Sequence, residues 1–210
     1  MPIRLQNVVL TESFTLPYGS TMFLFRIING SEIEEPFDIP AFHFSGSGDF
    51  SGTRFKKNVN FDSAKCSYDL RLNRTEFGGE ATFRSLEMSG RLFGRDVQFR
   101  HGVVFTGAAF RESVLFLSEN LRTVFGGEAR FNDTHFESTA EFDGVYFEGQ
   151  ADFTRVNIEK SCMFRALRAK NRLHPLPMRF GSSVTFRDAT IGGATDFSGA
   201  QFDGQSTSNA

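Results

Sequence analysis

Few residues in this chain have a type and spacing that could do chemistry, and each has a simpler structural use. Cys66 and Cys162 lie 96 positions apart and give no disulfide framework. Both fall where the pattern described below requires an inward side chain, so both are read as core, where a free thiol behaves as a small buried hydrophobe. His43, His101 and His135 are scattered, with no HxH or HxxxH spacing, and sit one or two places from phenylalanines read as inward. They are expected on the surface. Asp49, Glu141, Asp152 and Asp196 each directly precede a phenylalanine. They recur because the motif around them recurs, and no metal ladder is inferred. No GxSxG elbow, P-loop or dinucleotide fingerprint occurs. Gly78-Gly79 and Gly126-Gly127 read as corners rather than phosphate cradles. No catalytic residue, cofactor or metal is expected.

One segment could carry recognition. Arg165–Arg179 holds Arg165, Arg168, Lys170, Arg172 and Arg179 with His174, and from Ile158 to Phe180 a single acid, Glu159, faces six bases. Pro175 and Pro177 argue against a helix through its second half. A basic loop leaving a rigid scaffold is a natural binding determinant.

The scaffold is announced by phenylalanine. The 210 residues include 27 Phe but only 3 Tyr and no Trp, with 20 Gly, 6 Pro and a net charge of −2. A general core would mix Leu, Ile and Val, so one dominant apolar residue points to one repeated pocket. The near-neutral charge implies neither a nucleic-acid coat nor a strongly acidic surface, and no direct nucleic-acid contact is expected. The start MPIRLQNVVL lacks an apolar signal core, and Met22–Phe25 is too short to span a membrane. A reduced, cytoplasmic setting is expected.

In the stretch FGGEARFNDTHFESTAEFDGVYFEGQADF, aromatic residues fall at Phe125, Phe131, Phe136, Phe142, Phe147 and Phe153, in steps alternating between six and five. The unit is therefore eleven residues with two phenylalanines, a period that fits neither a helix nor a simple alternating strand. The register reaches back through Phe50, Phe61, Leu72 and Phe83, and through Phe55, Cys66, Phe77, Met88, Phe99, Phe110 and Leu121. It is irregular at Phe93-Gly94 and slips between Leu121 and Phe125. It is lost across Arg165–Arg179 and returns as Phe180, Phe186, Ile191, Phe197 and Phe202. The residue two places earlier is small or β-branched, as in Ala81, Val103, Ala129, Thr134, Ala140, Val145 and Ala151. Residues i and i−2 of extended chain face the same way, so large and small side chains share a narrow interior. Glycine recurs two places after the phenylalanine, as at Gly52, Gly79 and Gly127, which suits a sharp corner. Short side, corner, short side describes a solenoid.

Residues 1–40 depart from the repeat. Val8–Leu16 and Thr21–Ile28 read as two strands around the turn Pro17–Ser20, followed by an acidic connector, together an N-terminal β-rich cap. Residues 41–204 read as the solenoid, with the basic insertion at 165–179, and 205–210 as a polar tail.

A unit with a central Phe or Leu and a small residue two places earlier resembles the pentapeptide repeat family. Ala194–Gly204 (ATDFSGAQFDG) and Gly149–Phe153 (GQADF) carry the likeness best, and it extends over about Phe44–Phe202. The resemblance implies an all-β, right-handed quadrilateral β-helix of about seven coils over that region, with homodimers formed end to end through the C-terminal coil. Alternate units hold one residue more than the family's five, and the sequence leaves open whether it bulges at a corner or widens a side. Two functions follow as expectations. The first is a non-catalytic interaction module, docking a protein partner through its faces and the basic loop. The second, drawn from the resemblance, is a DNA-mimicking protein that binds DNA gyrase, of the fluoroquinolone-resistance type. That reading needs an acidic face, and residues 41–157 hold 16 acids against 14 bases.

Overall fold

The computed structural model describes residues 2–168, 174–204 and 206–207. Among them are 35 strands, nearly all of two residues, and no helix. They run in four parallel sheets, three of nine strands and one of eight, each strand pairing with the strand one circuit later. Phe55 pairs with Phe77 and Cys66 with Met88, a repeat of 22 residues per coil. This is the four-sided, all-β solenoid expected, with about nine turns in all, where about seven were expected over the repeat region alone.

The extra turns come from the N-terminal segment. It is β-rich, as expected, but it is not a strand–turn–strand unit. Ile3–Gln6 pairs in parallel with Phe25–Ile28, Val9–Leu10 with Glu32–Ile33, Phe14–Thr15 with Phe37–Asp38, and Thr21–Met22 with His43–Phe44. The segment thus forms the opening coils of the same four sheets, with Leu, Ile and Met where later coils place phenylalanine. Periodicity in one residue type missed them because the geometry asks only for an apolar side chain. Of the expected tail, residues 205 and 208–210 lie outside the described residues, and Ser206–Thr207 pairs with Val184–Thr185.

The interior explains the dominance of phenylalanine. Parallel strands lie about 4.8 Å apart, close to the spacing of offset-stacked rings. One column runs through Phe61, Phe83, Phe105, Phe131, Phe153 and Phe186, with centroid separations of 4.8–5.1 Å. Neighbouring columns meet edge to face, as Phe131 and Phe142 do at 5.5 Å and 80°. Phe136, Phe147 and Phe153 are fully buried with them. Cys66 and Cys162 are buried among these side chains, and burial pushes both thiols up in pKa. His43 and His135 face outward, on Ser67 Oγ at 3.0 Å and Glu159 at 2.9 Å.

Two kinds of corner alternate, which settles where the extra residue lies. After Phe61 the chain turns tightly: the Ala64 amide donates to the Phe61 carbonyl at 3.1 Å, and Ser63 takes φ +60°. The same positive φ recurs every eleven residues at Gly52, Arg74, Ser85, Asp96 and Gly107. After Cys66 the corner is wider by one residue, and the Leu70 amide donates instead to Arg91 of the next coil. Glycine has a different task there. A Cβ on Gly79 would sit 2.5 Å from the carbonyl carbon of Lys57, one coil back. The irregular Phe93-Gly94 unit keeps the register: Gly94 occupies the inward position, where a Cβ would lie 2.4 Å from the Phe116 ring. Phe93 points outward, with the Arg71 guanidinium 5.6 Å above its ring.

Some pairings of the opening coils span 23 residues, and beyond them the coil lengthens twice. Phe99 pairs with Phe125, 26 positions on, and Phe147 with Phe180, 33 positions on. The first change corrects one assignment: Leu121 is 57% exposed, in a loop rather than the core.

Candidate functional site

Both extra segments leave the rod at the same corner. The first lies between the strands Val114–Leu115 and Val124–Phe125, the second between Cys162–Met163 and Arg179–Phe180. In both cases the chain is passing from the first sheet to the second. One regular corner, Phe142-Asp143-Gly144-Val145, lies between them, and it anchors both.

The first loop is pinned from either side. Asp96, buried in the preceding coil, accepts the amides of Glu119 at 2.6 Å and Asn120 at 3.1 Å. Ser118 Oγ donates to the Gly144 carbonyl at 2.8 Å and accepts the Thr123 amide at 2.9 Å. A shallow polar depression lined by Asn73, Arg74, Arg95, Asp96, Glu119 and Asn120 runs along its flank.

The second loop is closed at its base. Leu167 and Leu176 exchange two backbone hydrogen bonds at 2.8 Å as an antiparallel bridge, against the parallel direction of every sheet. Asp143, nearly fully buried, accepts from Arg165 Nη2 at 2.6 Å, from Nε, and from the Arg165 amide at 3.0 Å. The hydrogen bond to Asp143 holds the Arg165 guanidinium above its ordinary pKa. Gly144 lets the loops approach: a Cβ there would meet Leu167 Cβ at 3.0 Å and Ser118 Cβ at 3.2 Å.

The loops also touch each other. Arg122 Nη2, from the first, donates to the Pro177 carbonyl of the second at 2.7 Å. The Arg122 and Arg179 guanidiniums lie 5.6 Å and 5.3 Å from the Tyr146 ring, within the range of cation–π attraction. Tyr146 lies along the second sheet over Gly181, where a Cβ would come within 2.8 Å of the ring.

The structure therefore divides the basic segment. Arg165 is committed to Asp143, and Arg179 to Asp203 and Tyr146. Arg168 and His174 are exposed on the two sides of the loop base. Lys170 and Arg172 lie outside the described residues. Arg122 belongs to the same cluster and escaped the sequence reading, although the spacing of Phe99 and Phe125 marks the insertion that carries it. Among the described residues no group of three or more His, Cys, Asp or Glu is placed to hold a metal, and no helix is long and apolar enough to cross a membrane.

The acids do not form a continuous stripe on the second sheet. Glu32, Arg54 and Glu76 alternate along it and pair with one another and with Lys56 and Arg100. Comparison of the chain with family models, with curated proteins and with solved structures returns no match.

Proposed function

We propose that the chain is a non-catalytic interaction module of the pentapeptide repeat type, which docks a protein partner at the two-loop corner. One observation carries this reading. On an otherwise regular rod, two insertions from different coils are tied into a single projection by Arg122–Pro177, Asp143–Arg165 and the Leu167–Leu176 bridge. Pre-ordering a projecting surface lowers the entropy lost on binding, and a loop without a task has no need of such bracing. Arg168 and His174 at the loop base favour an acidic patch on the partner. A phenylalanine-filled interior supports the non-catalytic reading, since stacked rings occupy the space that a substrate cavity would need. Two buried free thiols suit a reducing setting such as the cytoplasm.

The test replaces residues 168–175, keeping Arg165, Pro177 and Met178, with a short glycine-containing turn and compares retained partners with those of the intact chain. The expected outcome is a partner held by the intact rod and lost by the trimmed one at similar thermal stability. Equal retention by both, or no partner above background, would count against the corner. The gyrase-directed alternative is less favoured by the interleaved charges of the second sheet, and a supercoiling assay unaffected by excess protein would remove it. Self-association through the C-terminal coil, where Phe197 and Phe202 are 36% and 46% exposed, is a separate question for solution mass.

A further inference from the structure

We propose that the outer face of the first sheet is a self-association surface, on which a second copy of this chain packs antiparallel with Phe93 of one against Leu115 of the other. The outward residue of each two-residue strand stands directly over its equivalent in the next coil, so each face carries one readable column. On the second sheet that column opens as an ion-pair ladder of Glu32, Arg54 and Glu76, and its later apolar members, Val124 and Tyr146, run into a ring that Arg122 and Arg179 cover. On the third, Asn60 bonds Asp38 and Thr82, and on the fourth Lys65 pairs with Glu87. The first sheet is different. Phe93 and Leu115 face outward in adjacent coils, with Met163 two coils further on. All three are half-buried, and their outer edges form an apolar strip on a wall that is otherwise polar or charged.

Charge selects the occupant and its direction. Toward the N-terminal side of the apolar centre the column holds Arg71 and, beyond Asp49, Arg26; toward the C-terminal side it holds Glu141 and finally Asp196. A two-fold axis between the Phe93 and Leu115 levels sets Arg71 opposite Glu141 and Arg26 opposite Asp196. Asp49 then faces Met163, so no like charges meet in the column. A parallel pairing would place Arg71 on Arg71 and Glu141 on Glu141, which is repulsive. The Glu141 side chain also makes no hydrogen bond or ion pair among the described residues. Arg165 is near it but spends its guanidinium on Asp143, and burial with the nearby Asp143 charge holds the Glu141 carboxyl above its ordinary pKa. A partner's arginine would relieve it.

Nine strands at about 4.8 Å and a side about 10 Å wide bury on the order of 800 Å² in total. That places the dimer at the weak, concentration-dependent end. The test is sedimentation of the intact chain over a wide range of concentration, with melting curves to confirm folding. Outward substitutions should leave the core intact. Leu115→Glu, Arg71→Glu and Glu141→Arg are each expected to weaken the dimer by about tenfold or more, and Arg71→Glu with Glu141→Arg should recover most of that loss. A monomer at every concentration would overturn the proposal. So would a dimer indifferent to Leu115→Glu, a double reversal that recovers nothing, or a dimer dispersed instead by Phe197→Ser with Phe202→Ser.

Discussion

Arg122 donates from Nη2 to the main-chain carbonyl of Pro177, 55 positions further along, at 2.7 Å. Neither residue belongs to the repeat, and their contact crosses the one regular corner that separates the loops. The two insertions therefore behave as one structural unit. In Arg122→Ala, amide exchange is expected to quicken at both Thr123 and Leu176 while the ladder amides of Phe131 and Phe142 stay protected. Faster exchange confined to the first loop would show that the two are independent.

Asp143 and Arg165 form the firmest tie of the second loop, and the two partners should respond differently to removal. Arg165→Ala leaves a nearly buried carboxylate without its counter-charge, whereas Asp143→Asn keeps an acceptor for the Arg165 amide. Chemical denaturation should show a loss of about 1–3 kcal/mol for Arg165→Ala and a smaller loss for Asp143→Asn. Equal losses would mean that the charge itself contributes little.

The two corner types predict opposite tolerance of glycine replacement. Gly52 needs only positive φ, which Asp96 and Asp133 adopt at φ +58° in equivalent corners. Gly52→Asn should cost under about 1 kcal/mol. Gly79→Ala must displace backbone of the neighbouring coil, and a loss of about 2–4 kcal/mol is expected from the same denaturation series.

Glu141 gives a pH signature. Its folded pKa is raised, first by burial and then by Asp143, so its protonated form is the one the fold favours. Its contribution is fully present below the unfolded value of about 4.3 and is lost as pH rises through the folded value. Melting of dilute Glu141→Gln against the parent should show little difference near pH 4 and a more stable variant at pH 7. A difference independent of pH would assign the effect to packing.

The buried thiols make a simple check on the core. Cys66 and Cys162 should react with a thiol reagent only when the chain unfolds, at a rate that follows denaturant. Rapid labelling of either in the native state would show that its column opens locally.

Much of this architecture was legible because one interior dimension, the coil spacing, matches one side chain. Phe131, Phe136 and Phe142 fall five and six apart because each side of the rod presents one inward ring. The opening coils were not legible, since Leu5, Leu10 and Met22 meet the same spatial demand without the same letter. Leu121 failed for the converse reason: it keeps step with the series in sequence, but the chain has already left the rod at Ser118. The basic segment was visible as composition, yet which of its cations are free depended on Asp143 and Asp203, partners that lie 22 and 24 positions away and become neighbours only through coiling. Phe93 showed only as a misplaced aromatic, because its outward direction is settled by the ring of Phe116 filling the space at Gly94.

The coil lengthened to 33 residues between Phe147 and Phe180 has a consequence for what such a rod can carry. The entropy of closing a loop grows only as the logarithm of its length, so stretching a 22-residue circuit to 33 adds about 0.4 kcal/mol. A single cross-coil ring pair contributes more than that, about 0.5–1.5 kcal/mol. The corner is thus an inexpensive bay in which segments of different length and composition can be exchanged while the flanking coils stay shut. Variants carrying unrelated loops between Leu167 and Leu176, with Arg165 and Pro177 kept, should melt close to the parent, and recognition could be rewritten there without redesigning the rod.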